Sequence, residues 1–193
     1  FINSASPGVI SNFLPNKFYK NDDDYLLALS KMMKTEYDEI TKNDLLLQID
    51  CPDLALARHM TFKNVSDEEF LVRAEKQIEC LNEAIKDIDA SKLRMHICWG
   101  NYEGPHIHDI GLEKILPIAL KANIQTYLIE ASNPRHAHEW KVFENIKLPN
   151  DKVIVPGVID STSNFVEHEE LVKNRIIQYL SLIHISEPTR PSI

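Results

Sequence analysis

A histidine and a cysteine two positions apart, His96 and Cys98, open the chemistry of "RMHICWGNYEGPHIHD" at residues 94–109, which also holds His106 and His108. Imidazole nitrogen and thiolate sulfur are both metal ligands. On an extended strand residues i and i+2 leave the same face, so this pair can converge on one ion. Parallel side chains serve a shared ion better than a bond between the two, although thiolate activation by a histidine base needs only proximity. A buried, hydrogen-bonded pair without chemistry is the plainer alternative.

The elements that must position the pair follow from periodicity. Strand-like runs are "LLLQID" (45–50), "LRMHIC" (93–98), "IQTYLIE" (124–130) and "KVIVPGVI" (152–159), with an earlier strand ending near Ser4. Amphipathic segments lie between them at 22–42, 66–88, 110–122 and 136–146, and a last one starts near Val166. Ser66 and Glu69 have capping-box spacing, in which each side chain reaches the other's backbone N–H, and they mark a helix start. Strands separated by helices pair in parallel through right-handed crossovers, and no Gly-rich phosphate loop follows any strand. The pattern predicts an α/β fold: a partial (β/α)8 TIM barrel of about five βα units, with first strands and the last strand missing. Residues 1–180 form this segment of a barrel. The closing "SLIHISEPTRPSI" breaks the pattern, so residues 181–193 read as a non-native tail.

Barrel chemistry sits where strands run out into loops. The predicted strands end on Asp50 and Cys51, on His96 and Cys98, on Glu130 and on Asp160. Glu130 closes the strand beside His96 and Cys98, and nitrogen, sulfur and oxygen ligands together suit zinc. Asp50 in "QIDCPD" precedes a turn-enforcing proline and is either a site carboxylate or a loop cap. His106 and His108 lie in the loop above the pair, as proton-transfer groups or as solvated side chains. In "NPRHAHEW", Arg135, His136 and His138 read as a helix start facing solvent, and Trp99 and Trp140 as packing residues.

With 21 basic against 29 acidic side chains the net charge is -8, and no basic cluster interleaved with aromatics could follow a phosphate backbone, so nucleic acid is not an expected partner. No apolar run approaches the roughly 20 residues that span a bilayer, and no signal-peptide pattern opens the chain, so a cytoplasmic location without membrane contact is expected. Cys51, Cys80 and Cys98 are odd in number and far apart, which argues against a disulfide framework.

Taken in order and spacing, "QIDCPD", "MHICWGN", "IEASNPR" and "PGVIDSTSN" resemble the C-terminal catalytic barrel of cobalamin-independent methionine synthases, and the shorter single-barrel relatives of that family more closely still. The resemblance covers about residues 1–180. It implies a zinc-dependent S-methyltransferase that moves a methyl group from methyl-tetrahydrofolate or a related donor to a thiol such as homocysteine. It also implies that His96, Cys98 and Glu130 are zinc-associated and that Asp50 holds the amino group of the thiol substrate. A further cysteine ligand, expected in an Asp-Cys-Gly motif beyond residue 180, is absent from this sequence, which implies that the chain alone is inactive. Three positions depart from the pattern: Thr162 replaces a histidine proton donor two residues after Asp160, Phe13 stands where a tryptophan meets the folate, and Leu56 where a glutamate binds it. His106 or His108 could supply the missing proton, or the donor differs. A related activity is zinc-dependent alkyl transfer from an epoxide to a thiol, as in coenzyme M transferases.

Overall fold

The computed structural model describes residues 1–186. Its five strands are β1 (Ile2–Ala5), β2 (Leu47–Asp50), β3 (Leu93–Ile97), β4 (Thr126–Glu130) and β5 (Val153–Gly157). They form one parallel sheet in sequential order, β1-β2-β3-β4-β5. A dinucleotide-binding sheet reverses its strand order and carries helices on both faces, whereas sequential order with helices on one face belongs to a barrel wall. The fold is a partial TIM-barrel-like α/β fold, as the sequence predicts.

Alternation along the strands divides the sheet into two unlike faces. Leu47, Ile49, Leu93, Met95, Ile97, Tyr127 and Ile129 point one way and are buried. They meet α4 (Asp67–Ile85) through Phe70, Ala74, Ile78 and Leu81, and α5 (Leu112–Ala119) through Ile115 and Leu116. Tyr37 of α2 (Asp22–Lys42) completes this core. The other face is polar, and register aligns it in rows: Asn3, Gln48, Arg94 and Thr126 in one, Ala5, Asp50, His96 and Leu128 in the next.

The capping box at Ser66 is present in full, with the Ser66 hydroxyl accepting from the Glu69 N–H and Glu69 accepting from the Ser66 N–H. Two short helices carry no periodic signal long enough to read: α1 (Pro7–Phe13) and α3 (Leu56–Met60). The segment expected as one helix over 136–146 is a 3-10 turn at Ala137–Lys141 running into α6 (Val142–Asn145). The last helix, α7, covers Glu169–Ser186, so it continues past Ser181, where the tail was expected to begin. The remainder of that tail, residues 187–193, lies outside the described residues. No helix among the described residues is long and apolar enough to cross a membrane. Ser66→Ala removes one arm of the capping box and should lower unfolding free energy by about 1 kcal/mol in a urea titration.

Candidate metal centre

Parallel register makes Asp50 the direct neighbour of His96, and both side chains stand on the polar face. Cys98 follows two residues after His96, back on that face. One donor atom from each of Asp50, His96 and Cys98 lies within 4.8 Å of the others. His96 Nδ1 and Asp50 Oδ1 are 2.6 Å apart, which fixes the imidazole ring and leaves its Nε2 without a protein partner among the described residues. A carboxylate behind one ring nitrogen is the arrangement that orients metal-binding histidines.

Glu130 stands one step beyond the Ile97–Ile129 pair, level with Cys98 on the adjacent strand. Its Oε1 accepts from the Ser132 N–H, the Ser132 hydroxyl and the Asn133 N–H, so it lies outside the group of three. The centre that the chain assembles most closely therefore contains Asp50 where Glu130 was expected. Burial pushes the Cys98 thiol up to about 11; the Gly100 backbone N–H opposes this, and Asp50, Glu130 and Asp53 reinforce it. A thiol ringed by carboxylates stays protonated at neutral pH unless a cation joins it. The donor set fits a divalent metal on those grounds.

Beneath the centre sits a buried acid that no sequence pattern singles out. Asp53 is 2% exposed, and its Oδ1 accepts from the Ser6 hydroxyl at 2.7 Å. Ser6 is the N-cap of α1 and accepts in turn from the Val9 N–H at 2.9 Å. Gly8 is required here: a Cβ at this position would fall 2.0 Å from Asp53 Oδ2. Burial raises the Asp53 carboxyl to about 6, with the Ser6 bond opposing. The motif "SPG", a capping residue followed by proline, was the available signal for this helix start.

A cavity of about 460 Å3 opens over the centre, with Asp50 and Cys98 at its base and Val9, Phe13, Leu14 and Leu56 in its walls. Two of the three positions that depart from the sequence pattern, Phe13 and Leu56, thus share one cavity with two members of the centre. Asp160 lies elsewhere: its Oδ1 accepts from the Thr162 N–H and hydroxyl, and Thr162 accepts from Asn133. That chain of bonds ends on the loop that holds Glu130.

Neither His106 nor His108 lines this cavity. The His106 side chain is buried, bonded to Asp109 through Nδ1 at 2.9 Å and to the Tyr102 carbonyl through Nε2 at 2.8 Å. It stacks on His59 at 4.7 Å between ring centroids, and the His108 ring lies 6.0 Å from the same His59. His136, expected at the surface, is buried: Nε2 meets Asp109 and Nδ1 meets Glu139. Trp99 stacks on it at 4.0 Å and donates to the Ile110 carbonyl, the packing role expected of it. These contacts bind the Cys98–Ile110 loop to the helix layer. Nothing in the spacing of His59, Asp109 and Glu139 along the chain announces this cluster.

No family model matches the chain. Methionine synthases from two strains of Saccharolobus islandicus are each 28% identical to it over 187 residues, which cover 93% of this chain and 47% of theirs. The chain is thus similar to methionine synthases over most of its length. A 2-hydroxypropyl-CoM lyase of Xanthobacter autotrophicus is 27% identical over 131 residues, 55% of this chain and 35% of the lyase. The chain spans about half the length of the curated relatives it matches.

The loop cluster has a measurable signature. Burial works against a charged His136, but the Asp109 and Glu139 bonds outweigh it and raise the group from 6.5 to about 9. A raised histidine adds stability that is fully present below its ordinary value and is lost as pH climbs through the folded one. Unfolding free energy should therefore fall on the order of 2–3 kcal/mol between pH 6.5 and 9, and His136→Gln should flatten that slope in urea titrations.

Proposed function

We propose that Asp50, His96 and Cys98 form a zinc centre, and that the protein is a zinc-dependent S-methyltransferase of the methionine synthase type. The observation that carries this reading is the convergence of the three donors on one face, in a chain similar to methionine synthases. His96 Nε2 and Cys98 Sγ are the ligands proposed to hold the ion, with Glu130 beside them. Zinc, when bound, favours the thiolate form of a thiol that would otherwise be mostly protonated near neutral pH.

The remaining steps belong to this chain's own residues. Asp50 orients His96 through one oxygen, and its second oxygen makes no hydrogen bond among the described residues, which suits it to the ammonium group of an amino-acid thiol such as homocysteine. Val9, Phe13, Leu14 and Leu56 offer an apolar wall for a methyl donor such as methyl-tetrahydrofolate. Transfer from a tertiary amine also needs a proton at the leaving nitrogen. His106 is fully engaged in the loop, so it is not the donor in this arrangement. A second reading, alkyl transfer to a thiol from an electrophile without an amine, is favoured by the apolar Leu56 and by the likeness to the lyase.

Metal analysis of the purified chain should find zinc retained through dialysis. Cys98→Ser and His96→Ala should each weaken it by roughly tenfold or more, the scale of a lost ligand or supporting contact. Cobalt in place of zinc should gain a sulfur charge-transfer band on adding homocysteine. A chain that retains no metal, or whose affinity ignores both substitutions, would sink the proposal. Zinc with turnover of an epoxide and no turnover of methyl-folate would select the second reading.

A further inference from the structure

The loop that leaves β3 turns at Gly100, whose φ of 78° lies in the left-handed region. A Cβ at Gly100 would fall 2.9 Å from Leu56 Cδ1, and the Cys98 carbonyl accepts from the Leu56 N–H at 3.2 Å, so the start of the loop rests on one wall of the cavity over the metal centre. From Gly100 to Ile110 the chain lies outside helix and strand. What returns it to the body of the protein is the histidine cluster.

Two rings in that cluster face an acceptor at both ends. His136 meets Glu139 Oε2 at 3.0 Å through Nδ1 and Asp109 Oδ2 at 2.9 Å through Nε2. His106 meets the same Asp109 oxygen at 2.9 Å through Nδ1 and the Tyr102 carbonyl at 2.8 Å through Nε2. Carboxylate and carbonyl oxygens only accept, so all four bonds form only when both rings carry two N–H groups. Asp109 and Glu139 balance the two imidazolium charges, and Glu139 Oε1 accepts from the Leu112 N–H, which ties the cluster to the start of α5. The other titratable neighbours are His59, stacked on His106 with its Nδ1 3.9 Å from Asp109 Oδ1, and His108 and Tyr102, whose rings lie 6.0 Å and 6.3 Å from that of His59. Burial holds His59 below its ordinary value; Asp109 opposes this, and His106, His108 and Lys63 reinforce it. The protons that hold the loop therefore reside on His106 and His136.

We propose that residues 100–110 form a proton-held clasp, closed against Leu56 while His106 and His136 each keep two N–H bonds, and released from Asp109 and Glu139 when either ring loses a proton to solvent. A neutral ring turns a lone pair towards an acceptor, so one hydrogen bond becomes a repulsive contact between a buried nitrogen and an oxygen. Burial works against a charged His136, and the bonds to Asp109 and Glu139 outweigh it and raise the group to about 9. A raised histidine stays charged below its folded value and loses its proton as pH climbs through it, so the clasp is closed at neutral pH and opens near pH 9. It acts whatever metal or substrate the centre takes.

The Trp99 indole N–H, which donates to the Ile110 carbonyl at 2.7 Å and whose ring stacks on His136, and the Leu56 methyl groups report on the loop in NMR of the full chain. Between pH 7 and 10 the indole N–H should lose roughly tenfold of its protection from hydrogen exchange, after correction for the base catalysis of exchange itself, because a group that titrates near 9 is about nine-tenths deprotonated at pH 10. The Leu56 methyl resonances should shift over the same range while the Met95 and Ile97 amides stay protected. A glutamine side chain donates from one end only, so in His136→Gln the indole N–H should already exchange at pH 7 as it does in the unaltered chain at pH 10, and both pH-dependent changes should be absent. A flat profile at either reporter in the unaltered chain, or loss of protection at Trp99 and in β3 together, would overturn the proposal, and the unaltered chain decides this even where the variant fails to fold. A folded His136→Gln chain that follows the unaltered profile would overturn it as well.

Discussion

The parallel register of β2 and β3 is the constraint on which the rest depends. A slip of one residue would send Asp50 to the helix side of the sheet, away from His96, and would bring Ile49 onto the polar face. What prevents it is the burial of Leu47, Ile49, Leu93, Met95 and Ile97 against α4 and α5, since each apolar side chain of this size is worth about 1.5–3 kcal/mol when fully buried. The core therefore specifies the site without touching it. The same alternation that hides the apolar half of each strand delivers carboxylate, imidazole and thiol to the other half.

Holding such groups together has an electrostatic cost that runs through the surrounding structure. Asp53 is buried and pushed towards its neutral form, and with Asp50 and Glu130 it raises the Cys98 thiol. The Ser6 hydroxyl offsets part of this by donating to Asp53, and as an N-cap it also ties the start of α1 to the floor of the centre. That helix start is what brings Phe13 over Asp50 and Cys98. Gly8 permits the close approach, so a small residue, a cap and a buried acid act together to place one wall of a cavity.

Much of this was legible in the sequence. The strands, the long helices and the capping box have strong periodic or local signals, and residues at strand ends are countable once strands are found. His96, Cys98 and Asp50 were accessible in that way. Which carboxylate stands nearest the pair was not, because strand-end counting gives the neighbouring strand but not how a loop draws a side chain aside. Glu130 is drawn towards the Ser132 and Asn133 N–H groups by its own turn. His106 and His136 were misplaced for a related reason: loop histidines read as solvated, and only three-dimensional packing brings His59, Asp109 and Glu139 to meet them.

That histidine cluster changes how the chemistry of "RMHICWGNYEGPHIHD" divides. A loop of about a dozen residues with no regular structure is mobile unless it is tied down. Here the Trp99 indole is clamped between the His136 ring and the Ile110 carbonyl, and His106 bonds back to Asp109. Cys98 is the residue immediately before that clamp. Its position beside His96 is set from below by the strand and from above by the loop, and a thiol held at both ends keeps the geometry a metal ligand needs. His106 contributes by packing, from a buried position outside the cavity lining, and the separation of roles follows from where each ring nitrogen already has its partner.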